Sequence, residues 1–242
     1  QAEIIPQMFD KWIIVEGATK NVKCSNWCQE IPEEFHTENG NSIDGTKEFL
    51  DDLSKKFDNV DVYTASGLWE GKVSMFNYGL EKSKPSDGFL WEIDIDEYWS
   101  ENTISNTEKL FNNTGADCAS FLCDYLLTKD IIVRGMWGEG RSEGYKRCWR
   151  YSAGKKFVTH IPPVLEGESR WLHWSTTPRF THLSYYYEDQ VRFKSKFYTN
   201  HENIYSGWKK IVKGEVLLPC PVETLFEKQV NPQWKDTIIT YR

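Results

Sequence analysis

Phe89-Leu90-Trp91-Glu92-Ile93-Asp94-Ile95-Asp96-Glu97-Tyr98-Trp99 opens apolar, then alternates apolar with acidic residues, and ends in a polar aromatic cluster. That pattern predicts a buried strand whose carboxyl end carries Asp94, Asp96 and Glu97. A period of two sends Asp94 and Asp96 to the same side of the strand. Two like charges held so close repel, and burial adds a desolvation cost, so both carboxylates stay ionised most readily with a cation between them. Hard oxygen ligands favour Mg²⁺ or Mn²⁺ over zinc. The plainer alternative is an edge strand whose acids only face water; the apolar run ahead of them and the motifs on either side argue for the metal.

Upstream, Trp12-Ile13-Ile14-Val15-Glu16 is a short apolar run closed by an acid and Gly17, which predicts a central strand with Glu16 on the same rim as Asp94 and Asp96. A long polar loop, about Ala18 to Asn41, follows. Next come the turn Asn41-Ser42-Ile43-Asp44-Gly45-Thr46 and a helix with Phe49, Leu50, Leu53 and Phe57 on one face, for which Asp44 or Thr46 is a natural cap. Val60-Asp61-Val62-Tyr63 is the next strand. After Gly71 a second helix aligns Val73, Phe76, Asn77 and Leu80; an Asn in that stripe needs a hydrogen-bond partner. Lys72 in its first turn opposes the helix dipole unless an anion is near. Pro85-Ser86-Asp87-Gly88 turns the chain into the acidic strand. This β–α–β–α–β order predicts an α/β fold: a single Rossmann-like domain with a mainly parallel central sheet flanked by helices, its ligand at the strands' carboxyl ends. Neither a P-loop nor a dinucleotide glycine fingerprint occurs at the right place.

The second half is less regular. A helix is expected over Asn106 to Asn113, strands over Ala119 to Leu127 and Ile131 to Val133, and a pairing of Cys148 to Tyr151 with Phe157 to His160 across Ser152-Ala153-Gly154. Gly135-Met136-Trp137-Gly138-Glu139-Gly140-Arg141-Ser142-Glu143-Gly144 reads as a flexible lid, with a solvated hairpin tip as the alternative. Two C-terminal helices carry Val191, Lys194 and Tyr198, then Ile204, Trp208 and Ile211. With no repeat or second-domain boundary in view, residues 1–242 are expected to form one domain, with the acidic rim in 1–100 and the C-terminal helices in 101–242.

A chain of 242 residues with 39% hydrophobic and 27% charged residues is long enough to bury a core. Its net charge of −7, with no basic run, argues against a nucleic-acid partner. No apolar stretch is long enough to span a bilayer, and a cytoplasmic protein is expected. Six cysteines stand at 24, 28, 118, 123, 148 and 220. Cys24 and Cys28 are read as a loop disulfide or two free thiols, since a zinc site needs about four ligands and only His36 is close by. Most of the eleven tryptophans are expected in the core, with some left as flat platforms for sugar rings.

Three motifs in register, Ser42-Ile43-Asp44-Gly45-Thr46, then Gly71-Lys72 with Asn77-Tyr78-Gly79, then Asp94-Ile95-Asp96-Glu97, resemble family-two-like glycosyltransferases with the type A fold over roughly residues 9–100. The resemblance implies a nucleotide-diphospho-sugar donor, Mn²⁺ or Mg²⁺ bridging the donor's diphosphate to the D-x-D, and transfer to an acceptor hydroxyl, for instance of a glycan. Glu16 and Asp44 would lie in the donor pocket, Lys72 would face the diphosphate, Asp94 would touch the ribose or sugar and border the metal, and Asp96 would bind it. Thr181-His182-Leu183-Ser184-Tyr185, followed by Gln190, Val191, Lys194 and Tyr198, is similar to the stretch that closes many such sites, with His182 as a further metal ligand. Two features depart from the pattern: the chain opens at what reads as the end of the family's first helix, Ile4 to Phe9, and the loop at 18–41 is long. An inverting transferase also needs a carboxylate base on the far side of the sugar, and Glu139, ahead of Glu143, is the candidate in the glycine-rich loop beside Trp137. The competing classes are an inactive sugar- or nucleotide-binding relative with an interaction role, and a metal-dependent phosphatase.

Overall fold

The computed structural model of the chain describes residues 2–20, 31–64, 66–198 and 203–241. Cys24 and Cys28 lie outside the described residues. The chain divides into two compact units, Gln1–Gly88 with Tyr151–Gly167, and Phe89–Arg150 with Glu168–Arg242.

The first unit is built on two parallel strands, Trp12–Glu16 and Val60–Thr64, paired from Trp12↔Val60 to Glu16↔Thr64. Each face of the pair takes a helix. The Trp12, Ile14 and Val62 face meets Leu50 and Leu53 of the helix Thr46–Lys56, with Val60 and Phe57 closing the cluster. The alternate face, Ile13 and Val15, meets the helix Lys72–Ser83 at Gly79, where a β-carbon would stand 2.8 Å from Val15 Cγ2 and 2.9 Å from Ile13 Cγ2. Side chains on a strand alternate faces, so a strand covered by helices on both sides reads as one continuous apolar run. Asn77 of the same helix clasps the backbone of Phe157 in both directions: Nδ2 donates to the Phe157 carbonyl at 2.9 Å, and Oδ1 accepts from its N–H at 2.8 Å. That pair answers the polar residue in the apolar stripe. It also anchors the returning segment, where Phe157–His160 pairs antiparallel with Pro163–Leu165.

The second unit holds two larger sheets. One has four strands, in the order Trp171–Leu172, Cys118–Phe121, Tyr145–Tyr151 and Gly88–Trp91. The other has six, in the order Cys220–Pro221, Thr237–Thr240, Ile131–Arg134, Cys123–Thr128, Phe180–His182 and Glu97–Tyr98. The helix Glu101–Thr114 begins at Ser100, whose hydroxyl accepts the Thr103 N–H at 3.1 Å, and it buries Ile104, Thr107 and Phe111. The helices Glu188–Phe197 and Ile204–Val212 pack on one another, and the indole of Trp208 donates to the Tyr185 carbonyl at 2.7 Å.

The expected single, mainly parallel Rossmann-like sheet of the type A fold is therefore incorrect. The strands fall into several small sheets of mostly antiparallel or mixed pairing. The reason is connection length. A parallel crossover needs a dozen or more residues, and the first half of the chain supplies them between its strands. From Cys118 onward, Cys118–Phe121, Cys123–Thr128 and Ile131–Arg134 follow one another across only a residue or two, so the last two pair antiparallel. The single strand expected over Ala119–Leu127 is broken at Leu122, and its two parts join different sheets. The Cys148–Tyr151 stretch pairs with Cys118–Phe121 instead of Phe157–His160.

Candidate functional site

The acidic strand ends sooner than its alternation suggests. The strand ends at Trp91, with one further backbone bond from the Glu92 N–H to the Arg147 carbonyl at 3.0 Å, and the chain re-enters a strand only at Glu97–Tyr98. The carboxylates consequently part company, Asp94 going to Arg147 and Asp96 to Lys194.

Asp94 goes to Arg147, whose Nη2 stands 2.9 Å from Asp94 Oδ2. The same guanidinium holds Glu97, fully buried, through Nε at 2.8 Å and Nη2 at 2.7 Å, and lies 3.6 Å from Glu92. The Trp99 indole adds a third donor, 3.0 Å from Glu97 Oε2. Burial raises the Glu97 carboxyl, and Arg147 opposes it. Arg147 is itself held firmly charged: burial disfavours its charge, but Glu97, Asp94 and Glu92 outweigh that. One cation thus serves three acids, which organises the turn that precedes Asp96.

Asp96 meets the C-terminal part of the second unit. Its Oδ2 accepts from Lys194 Nζ at 2.8 Å and from Gln190 Nε2 at 3.0 Å, while Oδ1 faces His182 Nε2 at 3.6 Å. Lys194 also donates to Ser184 Oγ at 2.5 Å. Burial works against ionised Asp96, but His182 and Lys194 outweigh it and set the carboxyl far below its ordinary value. Phe180–His182 runs parallel to Cys123–Thr128 and antiparallel to Glu97–Tyr98, so His182 is placed by pairing with Tyr125 on one side and Glu97 on the other. The Tyr125 ring packs edge-on to the imidazole with centroids 4.8 Å apart.

Whether this set suits a divalent ion turns on Asp96 and His182. A separation of 3.6 Å is too long for a hydrogen bond. Two ligand atoms each ~2.1 Å from an octahedral ion lie ~3 Å apart when adjacent, so a shift of a few tenths of an ångström would let both bind one ion. The imidazole Nδ1 is buried and has no hydrogen-bond partner among the described residues, so the ring is held by packing against Tyr125 and Tyr145 and not by a hydrogen bond at that atom. Among the described residues no three His, Cys, Asp or Glu side chains gather to cage an ion. The Asp96 carboxylate is the kind of ligand Mg²⁺ and Mn²⁺ take, with water and substrate phosphates completing the shell, whereas the imidazole of His182 is a softer donor than Mg²⁺ favours.

Of the other residues singled out in the sequence, three belong to the first unit. Glu16 closes its strand and is 7% exposed; its Oε1 accepts the Ser42 N–H at 2.8 Å, and its Oε2 is buried with no hydrogen-bond partner among the described residues. Asp44 is exposed and accepts the Thr46 N–H at 3.1 Å; its hydrogen bonds to Thr46 lower the carboxyl below the ordinary range. Lys72 is half-buried at the start of its helix.

Glu139 and Glu143 belong to the second unit and differ sharply. Glu143 is exposed. Glu139 is 1% exposed, and its oxygens accept from Arg134 Nη1 and Arg179 Nη2 at 2.8 Å each, Arg141 Nε at 2.7 Å and the Gly135 N–H at 3.0 Å. A carboxylate offers about four acceptor positions, and all are taken. Burial raises its pKa, but Arg141, Arg134, Gly135 and Arg179 together bring it down to about 2. Nor does its loop hang open as a lid: the Asp236 carboxylate accepts the Trp137 and Gly138 N–H groups at 2.9 and 2.8 Å. The Trp137 ring is packed among Tyr125, Phe226 and Trp234.

Sequence reasoning passed over Arg147, Arg134 and Arg179, which carry no motif. Gln190 and Lys194 did leave a signal, being polar residues four apart and hence on one helical face directed at Asp96. No family model, curated protein or solved structure matches the chain. Among the described residues no helix is long and apolar enough to cross a membrane.

Proposed function

We propose that the chain is a metal-dependent glycosyltransferase, moving a sugar from a nucleotide-diphospho-sugar to an acceptor hydroxyl. The observation that carries this reading is the meeting of Asp96 and His182 at 3.6 Å, two residues far apart in sequence that the motif resemblance had marked for one task. In this reading Asp96 and His182 hold Mn²⁺ or Mg²⁺, which supplies Lewis-acid neutralisation of the departing diphosphate. Lys194 and Gln190 keep Asp96 ionised and turned so that Oδ1 faces the imidazole. Arg147 fixes the turn between Asp94 and Glu97. Glu139 has no part in proton transfer here, its acceptor positions being filled.

The test is calorimetric titration of a panel of nucleotide-diphospho-sugars with Mn²⁺ and with a chelator, followed by mass spectrometry of acceptor mixtures. Saturable binding of one donor that requires the ion, and that Asp96→Asn abolishes without loss of fold, is the expected result. Equal binding in chelator, or none at millimolar donor, removes the proposal. The locked state of Glu139 favours one second reading, a nucleotide-sugar-binding module without transfer; ion-dependent binding with no product from any acceptor selects it.

A further inference from the structure

Around Glu139 the second unit gathers three arginines, Arg134, Arg141 and Arg179, and three carboxylates, Glu139, Asp124 and Asp236, of which Asp236 is taken up by the Trp137 and Gly138 N–H groups. Arg134 and Arg179 also bracket Asp124, with Nη1 and Nε both 3.0 Å from its Oδ1. Three guanidinium groups therefore share two carboxylates, and Glu143, nearby in sequence, contacts none of them. Strand pairing explains the convergence. Asp124 lies on Cys123–Thr128, Arg134 ends Ile131–Arg134, and Arg179 immediately precedes Phe180–His182, three neighbouring strands of the six-stranded sheet. Alternation along these strands turns Asp124 and Arg134 to the face opposite Tyr125 and His182, so the cluster is separate from the Asp96 site.

The arginines are fixed on their inner edges and open on their outer ones. Arg141 uses only Nε, Arg134 only Nη1, and Arg179 Nε and Nη2, leaving Arg141 Nη1 and Nη2, Arg134 Nε and Nη2, and Arg179 Nη1 without acceptors among the described residues. Their side chains are 34%, 51% and 32% exposed for Arg134, Arg141 and Arg179. The backbone that sets them is constrained too: Gly135 has φ +134°, and a β-carbon there would fall 2.7 Å from the Asp236 carboxyl carbon. Planar forks held in advance by a buried carboxylate lose little freedom on meeting an oxyanion.

We propose that Arg134, Arg141 and Arg179 form a phosphate-binding site, taking the dianionic phosphate group of a small ligand, apart from the proposed transferase centre and independent of that reading. A tetrahedral oxyanion presents enough acceptor oxygens to meet several of the open guanidinium N–H groups at once, which a ligand with a single acceptor does not.

The test is calorimetric titration of the full chain with inorganic phosphate against a chloride background, on wild type, Arg141→Gln and Lys194→Met. Arg141 is the choice because a single nitrogen ties it to Glu139. Saturable binding of one phosphate, weakened about tenfold or more in Arg141→Gln and kept in Lys194→Met, is the expected result. Absence of saturable binding overturns the proposal. So does binding that survives Arg141→Gln, whether or not Lys194→Met abolishes it, since phosphate then sits elsewhere. Should Arg141→Gln fail to fold by circular dichroism, Arg141→Lys keeps the charge without the fork: a clear loss of affinity upholds the site, and wild-type affinity rejects it.

Discussion

Replacing Glu139 by Gln tests the claim that this carboxylate is a structural anchor. The substitution keeps the shape and removes the charge that faces three guanidinium groups. In the folded chain the carboxyl is lowered from 4.5 to about 2, a difference worth about 3 kcal/mol. The arginine side chains are a third to a half exposed, so water screens part of this and about 2 kcal/mol is the fairer figure. For a chain of this size that lowers the melting temperature by about 4–8 °C. The pH dependence follows from the direction of the shift. A depressed folded-state pKa means that the unfolded chain binds the proton more tightly, so the stabilisation is complete above about pH 4.5 and fades as the pH falls to about 2. Urea unfolding followed by tryptophan fluorescence at pH 7 and at pH 3 measures the gap between wild type and Glu139→Gln. A variant as stable as wild type at pH 7, or a gap that does not narrow in acid, refutes the reasoning.

Two further substitutions probe the first unit. Gly79→Ala sets a methyl group 2.8 Å from Val15 Cγ2 and costs about 1–3 kcal/mol through overpacking; a melting temperature equal to wild type shows that the helix stands farther from the strand than described. Glu16→Gln, with one oxygen still able to accept the Ser42 N–H, leaves the fold intact and costs about 1 kcal/mol or less in urea unfolding. A larger loss shows that the Glu16 charge itself holds the turn at Ser42.

The parts of the fold visible in the sequence are those with local causes. Trp12–Glu16, the helix Lys72–Ser83 and the two C-terminal helices follow from apolar period and glycine punctuation, and all form near their expected bounds. The need of Asn77 for a partner was equally legible, but not the partner, Phe157, because nothing local ties a helix residue to a strand so distant in sequence. The sheet arrangement failed for a related reason: period-two alternation tells which residues face one way, not which strand lies beside them. At the site, alternation placed Asp94 and Asp96 on one side of a strand, and the chain left the strand before reaching either. Arg147 pairs with Asp94 and Lys194 with Asp96, two protein cations of which the bare acidic motif gave no sign. Glu139 looked like a mobile acid among glycines with Arg141 beside it, whereas Arg134 and Arg179 come from separate strands that only the folded sheet brings to it.

The first compact unit ends at Gly88 and resumes at Tyr151–Gly167, which has a consequence for the order of events during synthesis. Asn77 waits for Phe157, and at about 5–20 residues per second the intervening stretch takes on the order of 10 s to emerge. Over that interval the nascent first unit lacks its last segment, while the chain already being made belongs to the second. A fragment cut at Gly88 inherits the same deficit permanently, with Asn77 left to water. The two units are thus interleaved in time: the first to begin cannot finish until much of the other has been translated.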